Sequence, residues 1–416
     1  MAYIRTFFQR SGHWMMAANV VTKLLGFAAV VFVTRHTSEA EYGAYSYAMN
    51  LVGAVVPFMG LGAYQAFLRY ASDAQGQLAK RNLYEYAFTR GTLFSLALVG
   101  VLQLAAPWVC SAIPESVLAF RVLAFVVLTT LVMEYVKSYA RAIHLNHLSA
   151  RVDVTYAILL VAGTLLFTQG IGILGYALAV VLAPVLAAAS VAWKLGVLRF
   201  RWGRLGNGCG GFWSYGLFTT AGALLAQLFY SVDVFLIGHF VGEKATAVAV
   251  YRVALLIPMA TAVLPISVAA TDFVKNSANK HNPLALRAYM FDYWKTFGVM
   301  SLVSLSVLAW LAPWLLRVFG EGYVEGASAM RLFLVGSLGS HLLRVPFGHL
   351  LSAVGRADWN TYVNAVVLVL TVMACAWAIP QWGIHGAAGA MAAMLWLSGA
   401  LYAAMFRVHL KRQRQD

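Results

Sequence analysis

The sequence predicts an all-α polytopic membrane protein of about twelve transmembrane helices, in two six-helix lobes around a central cationic cavity. Three observations carry that prediction. Hydropathy comes in long blocks, basic residues gather in alternate loops, and a series of short motifs returns in the same order roughly 206 residues later.

The 416 residues are 61% hydrophobic with a mean hydropathy of +0.74, too apolar for a soluble core and surface. Blocks poor in charge run over 14–33, 44–66, 87–109, 118–136, 154–168 and 171–193, then over 212–240, 245–270, 296–316, 329–351, 360–379 and 384–406. Most approach the ~20 apolar residues that a helix needs to cross ~30 Å of hydrocarbon, where the backbone must satisfy its own hydrogen bonds. The block at 154–168 is short.

The net charge of +15 would suit a nucleic-acid partner, but its placement is topological. With the N-terminus inside, the inner segments hold 21 Lys and Arg and the outer ones only Arg35, Lys244 and Arg317. That asymmetry predicts both termini in the cytoplasm and contact with anionic membrane lipids, with no nucleic acid involved. The basic start, 1–14, lacks a small-residue cleavage site and is expected to be an uncleaved interfacial lead-in. Cys110, Cys209 and Cys375 lack metal or redox spacing, and His144 and His147 have no clear third ligand. Neither a metal nor another cofactor is expected.

The internal repeat rests on three echoes. "VFVTRH" from Val31 answers "VFLIGH" from Val234, "VLQLAAPW" from Val101 answers "VLAWLAPW" from Val307, and "GILG" from Gly172 answers "GIHG" from Gly383, at offsets of 203, 206 and 211. Six is an even number of spans, so both copies enter from the same side, as parallel repeats do, with a cleft between them for alternating access. The predicted division is an N-terminal lobe over 1–195, a basic, Gly-rich cytoplasmic linker over 196–211, a C-terminal lobe over 212–406 and a basic tail over 407–416.

Six cations are left in or at the rims of spans: Lys23, Arg90, Arg121, Arg252, Arg331 and Arg344, opposed there by Glu134 and Asp233. A charge at the bilayer centre costs ~2.5 to 3.5 kcal/mol, so such groups face protein or water. Arg90, Arg121 and Arg331 lie near span ends and can snorkel to the headgroups. Lys23 stands ~14 Å into the first span, on a polar stripe with Asn19 and Gly26 that is expected to face a lumen. Arg344 shares a face with Ser337, Ser340, His341 and Gly348, a stripe suited to water or substrate, or to helix packing. Asn50 and Asn364 join Asn19, Ser340 and His341 as lumen polar candidates. Glu134 lies on one face with Thr130, Lys137, Ser138 and Arg141, where an internal contact to Lys137 or Ser138 is the cheaper reading. Asp233 and Arg252 fall at about the same depth across a helical hairpin. They form either a neutralising ion pair or an arginine fork shared with an anion, whose phosphate oxygens guanidinium matches bidentately.

"LLGFAAVVFVTRHTSEAEYGAYSYA" from Leu24, "GLGAYQAFLRY" ending at Tyr70, "SVDVFLIGHFVG", "VYRVALLIPM" from Val250, "LSAVGRADWNTYVN" with Gly355 and Asn364, and "IPQWGIHGAAGA" resemble the polysaccharide and O-antigen flippases of the MOP exporter superfamily. The resemblance covers nearly the whole chain and departs at "TAVAVY", where a short glycine turn is usual. It implies a carrier of lipid-linked oligosaccharide in the bacterial cytoplasmic membrane. Arg252, Lys23 and Arg344 would then receive a polyprenyl pyrophosphate, and glycan polymerases or ligases would be its partners. Two rivals stand beside it. A drug or metabolite antiporter on the same fold would be expected to line its cavity with carboxylates, and a membrane glycan polymerase or ligase would need a catalytic site on a sizeable outer loop. No nucleotide-cradling lysine loop is present, so a built-in ATPase is not expected.

Overall fold

The structure, a computed structural model, describes residues 12–74, 76–197, 202, 205 and 209–412. Residues 1–11 of the lead-in expected over 1–14, the linker residues 198–201, 203–204 and 206–208, and the tail end at 413–416 lie outside the described residues. Contacts divide the chain into two compact units, Met1–Gln227 and Leu228–Asp416. Among the described residues every regular element is helical.

The first unit runs α1 (Gly12–His36), α2 (Glu39–Val55), a 3-10 turn (Val56–Gly62), α3 (Ala63–Asp73), α4 (Gln77–Val109), α5 (Ser116–Leu123), α6 (Val126–Ala142), α7 (Asn146–Ile171) and α8 (Ile173–Leu195). Most of α9 (Phe212–Phe229) belongs to it too. The "TSEAEYGAY" stretch starts α2 through a capping box. The Ser38 hydroxyl accepts from the Glu41 amide at 3.3 Å and the Glu41 carboxylate accepts from the Ser38 amide at 2.9 Å, so two otherwise orphaned N–H groups are satisfied. Tyr84, Tyr135 and Phe67 fill the core, and the Tyr135 hydroxyl donates to the Ala87 carbonyl at 2.6 Å. The start of α9 packs on this unit. Its Gly216 meets the 3-10 turn at Gly62 so closely that a Cβ on Gly62 would collide with the Gly216 carbonyl, and Trp213 Nε1 donates to the Tyr86 hydroxyl at 2.9 Å.

The second unit continues with α10 (Val232–Phe240), α11 (Lys244–Thr261), α12 (Val263–Ala278), α13 (Pro283–Tyr293), a π-turn (Trp294–Gly298), α14 (Val299–Arg317), a 3-10 turn (Glu321–Gly326), α15 (Ala327–Gly339), a second π-turn (Ser340–Arg344), α16 (Val345–Ala353) and α17 (Ala357–Arg412). The long α17 is the packing partner of α10, α15 and α16.

The sequence echoes have matching geometry inside each unit. Gly172 stands at φ 60°, ψ −139° between α7 and α8, and Gly383 at φ 54°, ψ −133° within α17, a backbone region open in practice to glycine alone. Three residues on, Gly175 and Gly386 each press against a carbonyl of the preceding helix, Phe167 and Ala378 respectively, where a Cβ would collide. His36 stacks on Phe32 and His239 on Phe235 at the corresponding places in the first echo. One turn chemistry is thus used twice.

Among the described residues eight helices are long and apolar enough to cross a membrane, or nine if α9 and α10 count as one bent span. Reaching the twelve expected from hydropathy requires counting α1, the α15 to α16 pair joined by its π-turn, and the two arms of α17 on either side of Gly383 as well.

Candidate functional site

The charges inside the spans fall into three groups. In the first unit, Lys137 Nζ lies 2.8 Å from Glu134 Oε1 and 2.8 Å from Asp153 Oδ1, while Arg141 Nη2 reaches Glu134 Oε2 at 3.4 Å. The expected Glu134 to Lys137 contact is present, and α7 adds Asp153, which the one-face reading of α6 had no means of including. Glu134 is therefore already paired with protein cations. Ser138 is buried with its hydroxyl unpartnered, so it is not the group that holds Glu134.

Elsewhere in that unit Lys23 is exposed on α1 beside exposed Val21 and Leu24. Asn19 lies one turn earlier in the same helix, its side chain outside the described residues. Asn50 is buried in α2 and engaged in the packing. Arg90 lies over the Tyr86 ring at 3.9 Å, and Arg121 is exposed. In the second unit Arg331 Nε donates to the Ala309 carbonyl at 3.0 Å from an exposed position.

The second group corrects an expectation. Asp233 and Arg252 form no salt bridge. Asp233, 1% exposed in α10, accepts from the Tyr251 hydroxyl at 2.6 Å and from the Val234 amide at 2.8 Å. The reason is angular: neighbours on a helix point about 100° apart, so when Tyr251 turns to Asp233, Arg252 turns away. Equal depth in the membrane, which the hairpin spacing predicts, says nothing about rotation. Among the described residues, Arg252 is left half-buried with neither a hydrogen bond nor a salt bridge.

The third group surrounds the second π-turn. A π-turn adds a residue to one helical turn and so re-aims the side chains that follow it. Here it carries Ser340, His341 and, at its end, Arg344. Arg344 Nη2 donates to Asn364 Oδ1 at 3.1 Å, and the Tyr402 hydroxyl donates to the same oxygen at 2.8 Å. The guanidinium also sits over the Phe229 ring at 4.7 Å and the Tyr402 ring at 5.8 Å. Among the described residues no carboxylate pairs with it, and Nη1 is buried without a partner. Aromatic faces and an amide oxygen orient this cation but leave its charge uncompensated.

Ser340 and His341, on a stripe suited either to water or substrate or to helix packing, are buried at 8% and 3% exposure. The π-turn packs them inward: Tyr293 donates its hydroxyl to the His341 carbonyl at 2.9 Å, and His341 Nε2 lies 3.4 Å from the Thr261 hydroxyl. Asn364 is where the stripe does meet another helix. Sequence reasoning missed Tyr402, Phe229 and Tyr251, since aromatic residues in an apolar helix carry no local signal of the polar partner they will meet. His144 and His147 are exposed, and no cluster of three potential metal ligands is present among the described residues.

Comparison with known proteins defines the class. The polysaccharide biosynthesis protein family matches residues 8–273, and the MatE family matches residues 220–377. The fold is similar to that of an inward-facing multidrug resistance MATE family transporter of the MOP superfamily, with a TM-score of 0.77 at 17% identity over 95% of this chain and 96% of that one. It is also similar to lipid II flippase MurJ in an inward closed conformation, with a TM-score of 0.74 at 14% identity over 94% and 87% of the two chains.

The chain belongs to the polysaccharide biosynthesis protein family and is a multi-pass membrane protein with the MOP-superfamily transporter fold. The teichuronic acid biosynthesis protein TuaB of Bacillus subtilis (strain 168) is 31% identical over 163 residues, a stretch spanning 38% of this chain and 33% of that protein.

Proposed function

We propose that the protein is a flippase that carries a polyprenyl-pyrophosphate-linked oligosaccharide from the inner to the outer leaflet of the bacterial cytoplasmic membrane by alternating access, with both termini cytoplasmic. Arg344 carries the reading: it is a half-buried guanidinium held by Asn364, Phe229 and Tyr402 without any carboxylate, and one of its amino groups is unused. A fixed, oriented and uncompensated arginine inside a membrane protein is a receptor for an anion, and pyrophosphate offers the oxygens its fork matches. Arg252, which makes no salt bridge to Asp233, and exposed Lys23 are the further cations in this reading. The matched family and the teichuronic acid biosynthesis relative support a lipid-linked glycan over a drug.

Asp233 and Glu134 are bound by Tyr251 and Lys137, so this reading gives them structural work and no coupling ion. The membrane potential supplies a driving force, because moving one negative charge outward from a negative interior is worth ~2.3 kcal/mol per 100 mV. Glycan polymerases or ligases would take the delivered unit.

The test is a strain with the gene deleted and complemented by wild-type or Arg344→Gln protein. Mass spectrometry of its lipids should show one lipid-linked oligosaccharide accumulating in the deletion and in the Arg344→Gln strain at equal protein level. Normal glycan display with Arg344→Gln, and no accumulated intermediate, would overturn the assignment.

A further inference from the structure

The two π-turns of the second unit pack against each other, and between them opens an apolar groove of about 350 Å³ lined by Trp294, Gly298, Val299, Leu302, Leu342, Leu343 and Trp396. Its walls are prepared to present hydrocarbon only. Trp294 Nε1 donates to the Leu342 carbonyl at 2.8 Å and Trp396 Nε1 to the Val335 carbonyl at 2.9 Å, so both indoles have their N–H satisfied and offer their rings. Gly298 keeps the floor open, since a Cβ there would press on Leu342 Cδ2 at 3.1 Å.

The mouth is unprotected: Val299 is 57% and Leu302 53% exposed. In a membrane-spanning chain such a surface meets the acyl region. An α-helix about 10 Å across cannot enter so small a groove, whereas a single hydrocarbon chain can.

Charge selects which lipid. Lys295 is exposed immediately after Trp294 and lies one turn before Val299 and two before Leu302. The apolar block of this span begins at 296, so the lysine stands at the start of that block, one turn before the exposed Val299 of the groove. Arg287 lies further out on α13, with Asp292 between them. The local balance is cationic, the arrangement that attracts an anionic lipid headgroup.

We infer that this groove is a binding site for one acyl chain of an anionic glycerophospholipid whose phosphate is held by Lys295. The second wall of the groove is the π-turn that ends on Arg344, so the bound chain braces the segment that aims that residue. The site does not depend on what the protein transports.

The experiment uses the full-length protein in phosphatidylcholine vesicles doped with phosphatidylglycerol bearing a diazirine on its acyl chain, with adducts mapped by mass spectrometry after illumination. Adducts should concentrate on the peptides containing Val299, Leu342 and Trp396. Val299→Trp, which fills the groove with an indole, should remove them, while Val369→Trp on α17 should leave them. Lys295→Glu should reduce them at least about fivefold, as expected for loss of one cation. Thermal unfolding of each variant confirms that it is folded. Adducts spread evenly over lipid-facing residues, survival of the groove adducts in Val299→Trp, or equal labelling by diazirine phosphatidylcholine would overturn the site.

Discussion

Replacing Tyr251 by Phe isolates the contact that displaced the expected ion pair. The substitution removes one hydroxyl and leaves the ring in place, so the lost term is the 2.6 Å bond to Asp233 Oδ2. A hydrogen bond to a charged group contributes about 1.5 to 3 kcal/mol, and a buried acceptor left unpaired adds its desolvation cost. Asp233 is 1% exposed, so water cannot substitute for the donor. Tyr251→Phe is therefore expected to destabilise the protein by about 2 to 3 kcal/mol.

The assay is reversible unfolding in mixed detergent micelles followed by tryptophan fluorescence, arranged as a double-mutant cycle with Asp233→Asn. The two changes should be non-additive, because each removes a member of the same bond. Arg252 supplies the control. Breaking a direct buried pair would cost about 3 to 5 kcal/mol, whereas Arg252→Gln is expected to cost under about 1 kcal/mol, since no such pair exists. A Tyr251→Phe protein as stable as wild type, or an Arg252→Gln protein destabilised as strongly as a broken pair requires, would refute the geometry.

Other outcomes follow from the same contacts. Gly172→Ala and Gly383→Ala should each cost about 1 to 3 kcal/mol in the same unfolding assay, because a Cβ disfavours the backbone region that both occupy. Lys137→Met should leave Glu134 and Asp153 facing each other without their shared cation; the loss, about 3 kcal/mol at most for so partly exposed a group, should be partly restored by adding Glu134→Gln. Asn364→Asp should give Arg344 the carboxylate it now lacks, and so lower glycan display in a complemented deletion strain while protein level and unfolding stay near wild type.

How much was legible depended on whether a property is local. The membrane class follows from hydropathy blocks, and of the echoed motifs the structure shows one shared feature, the backbone conformation of Gly172 and Gly383. A contact within one helix, Glu134 to Lys137, was readable because spacing fixes which side chains meet. Contacts between helices were not. Depth alone paired Asp233 with Arg252, but rotation decided the outcome and gave the bond to Tyr251. The burial of Ser340 and His341 depended on a π-turn, which has no sequence signature, and Arg344 found Tyr402 on a helix 58 positions later (402 − 344) only through packing.

The central claim is that an uncompensated arginine receives the anionic end of a lipid-linked glycan. The most direct measurement is translocation of a short-chain polyprenyl-pyrophosphate oligosaccharide across proteoliposomes, read by its accessibility to an external glycosidase, with wild-type and Arg344→Gln protein at equal incorporation. The account predicts transfer by wild type, and transfer slower by about 10- to 100-fold for Arg344→Gln, the equivalent of one lost charge-assisted contact. Equal rates for the two proteins, or no protein-dependent transfer by wild type, would contradict it.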